Sequence, residues 1–299
     1  MKRKVIKQAG QAYTITLPIE WVRKNNIENN PEIDLTISDR SLIITNQGQI
    51  EHKKIKIKLE EQKGRNISRI ITSLYAKGID EIEIESDKNI ASEIIKSLNS
   101  TIGFALISQK DNKFVIKDIG GTNYNELDEI FKRVFQMILS FYESAINDIF
   151  GEEKETLDNL VSRDNEINKF CYFLERAINK MSYKDMVDGR ALFTYAFSLE
   201  KIGDEIQRLW RTNIKYKVKK SKELKKFIED CFNGLGKSFE FYYQFNIKKA
   251  EELANLRDKL REESLELTKD KLTTRMIRHS LKIIEEATDL NQLTFMIKL

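Results

Sequence analysis

The chain has 299 residues, 40% apolar and 33% charged, with a formal net charge of +4. That length and apolar share suffice for two or three domains with cores of their own, which excludes a disordered tail or a short peptide. No apolar run approaches the roughly 20 residues of a bilayer span, and the opening MKRKVIKQ lacks the apolar centre of a secretion signal, so a cytoplasmic protein without a transmembrane segment is expected.

The first 48 residues read as β-rich. Val5 to Lys7, Tyr13 to Leu17, Ile33 to Ile37 and Leu42 to Thr45 are β-branched or alternating, with Ser38 to Ser41 as a turn. A short helical piece, IEWVRKNN, follows Pro18, where a missing amide donor costs nothing. So small a unit with so few large apolar groups cannot bury enough surface alone, which predicts pairing with a second copy. Cations cluster at Lys2, Arg3, Lys4 and Lys7 and again at Arg23 and Lys24. Such a cluster fits either salt-sensitive phosphate contacts to DNA or a solvated basic terminus.

Lys4-Val5-Ile6-Lys7, Gly10, Tyr13-Thr14-Ile15-Thr16-Leu17-Pro18 and Trp21, closed by Asp39 and Leu42-Ile43-Ile44, resemble the AbrB/SpoVT family of swapped-hairpin DNA-binding domains. The resemblance implies a homodimer of interleaved hairpins with DNA as its partner. It implies a DNA-binding role for Lys2, Arg3, Lys7, Arg23 and Lys24.

Residues 49–121 predict a small α/β segment. KIKIKL over Lys54 to Leu59 alternates strictly, and Ile67, Ile70, Ile71 and Leu74 then recur at helical spacing. A strand from Asp80 to Glu85, a helix bearing Ile90, Ile94, Ile95 and Leu98, and strands Phe104 to Gln109 and Lys113 to Lys117 follow, the last two joined at Asp111-Asn112. No glycine pattern suited to a phosphate-cradling loop occurs, and a spacer or dimer-supporting role is expected. Asn123 or Asn125 offers a cap for the next helix.

From Leu127 onward six long amphipathic helices are predicted in two similar triplets, residues 122–220 and 221–299. Glu200 and Asp204 flank Gly203 on the third helix, where a glycine costs about 1 kcal/mol relative to alanine and so marks the close approach of a helix or an ion. With 47 acids in the chain, i,i+4 acidic pairs arise by chance on the order of seven times, so spacing alone defines no metal site. The order of signals is more telling. Arg163-Asp164 on the second helix is echoed by Arg257-Asp258 on the fifth, and Glu200/Asp204 on the third by Glu285/Asp289 on the sixth. If the second and third helices of each triplet lie side by side, Asp164 meets Glu200 and Asp204, and Asp258 and Glu262 meet Glu285 and Asp289. Such groups repel unless a cation or an arginine neutralises them.

Leu199-Glu200-Lys201-Ile202-Gly203-Asp204, preceded by Asp164 and repeated at Glu285 and Asp289, resembles the PhoU family of tandem three-helix bundles. The resemblance implies a regulator of phosphate uptake that binds a metal ion cluster, iron or zinc, through Asp164, Glu200, Asp204, Asp258, Glu262, Glu285 and Asp289. Asn168 stands where the family has aspartate and Thr288 where it has glycine. Together the two resemblances imply an archaeal-type fusion, multidomain and mainly α. Its expected action is transcriptional, with docking to a phosphate ABC transporter ATPase as the alternative.

Residues 211–226, RTNIKYKVKKSKELKK, form the densest basic run and join the triplets. DNA, an acidic protein surface, anionic headgroups or plain solvent all suit it. Cys171 and Cys231 stand outside any metal-ligand spacing and favour reduced thiols over a disulfide. No enzyme is expected: only two histidines occur, Met276 rather than an acid precedes His279 by three residues, and no nucleophile pattern is present.

Overall fold

A computed structural model describes residues 2–8, 10, 12–27, 32–38, 41–45, 52–60, 64–120, 127–181, 186–268 and 270–299. The turn at 38–41 and the cap at Asn123 or Asn125 lie outside the described residues in whole or in part. The chain forms two compact units, residues 1–52 and 53–299.

The first unit holds two antiparallel hairpins and a short helix. Strand β1 (Ile6–Lys7) pairs with β2 (Tyr13–Thr14), and β3 (Asp34–Ser38) with β4 (Ser41–Thr45), Leu35 opposite Ile44 and Ile37 opposite Leu42. The expected strand over Tyr13 to Leu17 is therefore only two residues long. Between the hairpins, α1 (Ile19–Lys24) starts at Pro18, whose φ of −62° suits a helix start. Among the described residues of this unit Ile27 is the one buried apolar side chain.

The second unit opens with a mixed sheet in the order β5 (Lys54–Leu59), β6 (Glu81–Ser86), β8 (Lys113–Asp118), β7 (Phe104–Lys110). Strands β5 and β6 are parallel, joined by α2 (Gly64–Ala76), and α3 (Ala91–Leu98) leads into β7. Asp111 and Asn112 have φ of 49° and 58°, the left-handed pair that lets a two-residue turn follow the twist of its strands. One face of the sheet packs Leu59, Ile82, Ile84, Phe114 and Ile116 against Ile67, Ile71, Tyr75 and Ile94 of the helices. On the other face Lys54 pairs with Glu81 and Glu83, and Lys117 with Glu81, a ladder that period-2 alternation produces directly.

Six helices complete the unit: α4 (Leu127–Phe150), α5 (Leu157–Lys180), α6 (Met186–Tyr216), α7 (Lys222–Tyr243), α8 (Ile247–Leu267) and α9 (Lys271–Lys298). The predicted helices all occur, because apolar residues recur at 3.6-residue spacing and side-chain caps stop the ends: Thr156, Ser221, Asn246 and Asp270 each accept an amide of the first turn. Each triplet packs within itself, and α6 against α9 and α4 against α7 join the two triplets into one core. Cys171 and Cys231 are both buried and free, as expected.

Helix α5 also packs against α2. Arg176, fully buried, donates to the Tyr75 carbonyl at 3.0 Å and the Ile79 carbonyl at 2.6 Å, and to Asp80 and Asp118 at 2.6 and 2.7 Å. Lys180 adds a second cation on Asp80, and the guanidinium lies over the rings of Tyr75 and Phe104. The α/β layer and the first helical triplet thus share a buried charge network.

Candidate functional site

The packing of α5 on α6 explains why a glycine sits at 203. A Cβ there would stand 3.3 Å from Ile167 Cγ2, so the residue that approaches is an apolar side chain of the neighbouring helix. The same packing holds the predicted acids, Glu200 one turn before the glycine, Asp204 next to it, and Asp164 one turn before Ile167 on the facing helix. Asp164 is only 5% exposed; its Oδ2 accepts from Gln207 at 2.8 Å and Asn168 at 3.3 Å, and its Oδ1 is buried without a partner. Glu200 accepts from the Tyr172 hydroxyl at 3.2 Å, and Asp204 from Arg208 at 2.5 Å.

Burial and mutual repulsion shape the acidity of this group. Burial, then the charges of Asp204 and Glu200, push Asp164 up to about 7, and burial with Asp204 pushes Glu200 up to about 7. Burial raises Asp204 as well. A fourth acid joins them: Glu175, 4% exposed, with Oε1 buried and unpartnered, is raised to about 8 by burial and by Glu200. The pair at i,i+4 motivated attention to 200 and 204; Glu175 carries no such signal, since it lies eleven residues beyond Asp164 and three helical turns away.

A seam between α6 and α9 lies next to this cluster. Glu205, 3% exposed, has Oε2 2.7 Å from His279 Nδ1, while Oε1 accepts from Lys282 at 2.7 Å and Arg208 at 2.5 Å. Burial would raise its pKa, but the bonds from His279 and Lys282 and the charge of Arg208 outweigh it and hold the carboxyl at about 2. Glu205 is inconspicuous in the sequence, where it is one more acid beside Asp204.

The second triplet is different. Arg261 donates to Glu285 at 2.7 Å and stands 3.6 Å from Asp258, which Arg257 also holds at 2.8 Å. Glu262 and Asp289 are exposed. Of the four candidate ligands here, two are therefore already neutralised by arginines, and the other two are exposed. Among the described residues no group of three or more His, Cys, Asp and Glu side chains converges as a metal requires. In the first triplet the charge and the unpartnered oxygens suit a cation, while each carboxylate is turned to a different protein donor.

In the N-terminal unit Lys2, Arg3 and Lys7 are exposed along β1 and its lead, and Arg23 and Lys24 are exposed in the last turn of α1. No helix among the described residues is long and apolar enough to cross a membrane. No known family profile matches the chain, and comparison with curated proteins and solved structures returns no match.

Proposed function

We propose that the protein is a DNA-binding regulator of phosphate uptake, in which the N-terminal unit pairs with a second copy on DNA and the helical half is the sensor. The observation that carries this reading is the surface of the N-terminal unit. Val5, Ile6, Tyr13, Ile19, Leu35, Ile37 and Leu42 are all more than half exposed in a unit of about fifty residues. A single copy leaves in water the side chains that should form its core, and a second copy of the same hairpins has the matching apolar faces. Pairing also doubles the cations Lys2, Arg3, Lys7, Arg23 and Lys24. The link to phosphate rests on the PhoU-like pattern around Glu200 and Asp204.

In the sensor, the acids of α5 and α6 are the candidate receptor for a cation, iron or zinc, with Asp164, Glu200 and Asp204 as its ligands. A cation that binds one arrangement of α5 and α6 better than another would shift the equilibrium between them, and with it the affinity for DNA.

A gel shift on the DNA upstream of the chain's own gene, at two salt concentrations, tests the first part. Binding should weaken with salt and weaken further in an Arg23→Ala, Lys24→Ala variant, and sedimentation should give a dimer. A monomer that shifts no DNA at either salt would remove the reading and leave control of a transporter ATPase in its place. Elemental analysis of the purified chain against Glu200→Ala, Asp204→Ala tests the second part; equal metal in both removes those ligands.

A further inference from the structure

Residues 211–226 carry eight lysines and arginines and one acid, Glu223. Helix α9 opens with four more cations, Lys271, Arg275, Arg278 and Lys282, and has no acid between 271 and 284. In sequence the two stretches are separated by most of α7 and all of α8; the fold brings them to one end of the bundle. The Arg275 guanidinium lies 6.0 Å from the centroid of the Tyr216 ring. The carboxyl of Asp270, held low first by hydrogen bonds from Thr273, is lowered further by the charge of Lys219.

Several acids at this end are already engaged, while Glu223 and, in the last turns of α8, Glu262 and Glu266 are exposed and outnumbered by the cations. Glu153 of the α4–α5 turn pairs with Lys217 and Lys220, Asp270 caps α9, and Glu205 is held by His279, Lys282 and Arg208. Lys215, Lys219, Lys222, Lys271, Arg275 and Arg278 are all exposed. Apolar anchors are sparse: Tyr216 is the one strongly exposed large apolar side chain of the two stretches. Protein interfaces rely on several aromatic and aliphatic anchors, and membrane-seated helices insert a row of them. A surface of cations on rigid helix ends with so little apolar area instead matches a regular array of phosphates.

We infer that this end of the bundle seats the phosphate backbone of double-stranded DNA, without reading its bases. This contact goes beyond the proposed function, which places DNA on the N-terminal unit, and variants of each unit distinguish the two.

The test is fluorescence anisotropy of the full chain on a labelled duplex of mixed sequence, between about 50 and 200 mM salt. A Lys219→Ala, Lys222→Ala, Arg275→Ala, Arg278→Ala variant should bind at least about tenfold more weakly at low salt, with the slope of log affinity on log salt reduced by about 0.9 for each phosphate no longer neutralised. Arg275→Lys, Arg278→Lys should retain most of the binding, which separates charge from folding. An Arg3→Ala, Lys7→Ala, Arg23→Ala, Lys24→Ala variant should keep a salt-sensitive bound fraction. If the bundle variant binds like the parent, or if the N-terminal variant loses all duplex binding, the inference is overturned and the proposed function survives. Loss in the bundle variant alone supports the inference and removes DNA from the N-terminal unit. A parent that binds no duplex but binds vesicles containing anionic lipid overturns both.

Discussion

The two helical triplets share a plan and treat charge in opposite ways. Between α5 and α6, Asp164 and Glu175 are about 95% buried with an oxygen each left unpartnered, and neighbouring carboxylates raise their pKa further. Between α8 and α9, Asp258 and Glu285 sit half in water with Arg261 between them. Equal motifs thus give a buried, titratable site in one triplet and a neutralised surface in the other. The difference comes from the arginines and not from the acids themselves: Arg257 holds Asp258 and Arg261 reaches Glu285, whereas Arg163, the counterpart of Arg257, turns away to Ser144 and Glu155.

The largest effect is expected where buried charge is fully compensated. Arg176→Met should cost about 3 kcal/mol in urea unfolding, because it strands Asp80 and two carbonyls that α5 satisfies. A loss below about 1 kcal/mol would mean that Lys180 alone satisfies Asp80, and that the α/β layer and the bundle are less tightly joined than their shared hydrogen bonds imply.

Next comes the uncompensated charge. The carboxyls of Asp164, Glu200 and Glu175 are raised to about 7, 7 and 8 in the fold. In that state the folded chain holds more protons than the unfolded chain between about pH 4 and 8, so stability is full below pH 4 and falls as pH rises through that window. Asp164→Asn keeps the neutral form at every pH. It should therefore match the parent only below about pH 4 and exceed it increasingly as pH rises, by at least about 2 kcal/mol, roughly 5 °C in melting temperature, at pH 8.5. Glu205 has the opposite sign, since its lowered pKa adds stability that disappears only as pH falls below about 4 toward 2. A parent with flat stability from pH 5 to 8.5 would show that a bound cation or buried water already satisfies the cluster.

The smallest effect belongs to the second triplet. Glu285→Gln should change stability by less than about 0.5 kcal/mol, because its pair with Arg261 is half-exposed and screened. A loss above about 1 kcal/mol in thermal melts would place this pair in the same class as the buried acids.

Much of this molecule was legible from its residues in order. Period-2 alternation in KIKIKL and DEIEIE made strands of the middle segment, 3.6-residue spacing made all six long helices, and Asp111-Asn112 made its turn, because local patterns encode local structure. The acidic pairs and the basic run were equally plain. What no local pattern contains is which face another element covers. That Glu175, Arg176 and Glu205 are buried, that Ile167 fills the space beside Gly203, that Arg261 reaches Glu285, and that the start of α9 joins the 211–226 run are all decided by packing. A carboxylate in water and a carboxylate between two helices are the same letter in the sequence, and only the tertiary structure sets the desolvation and the neighbours that make one of them a site.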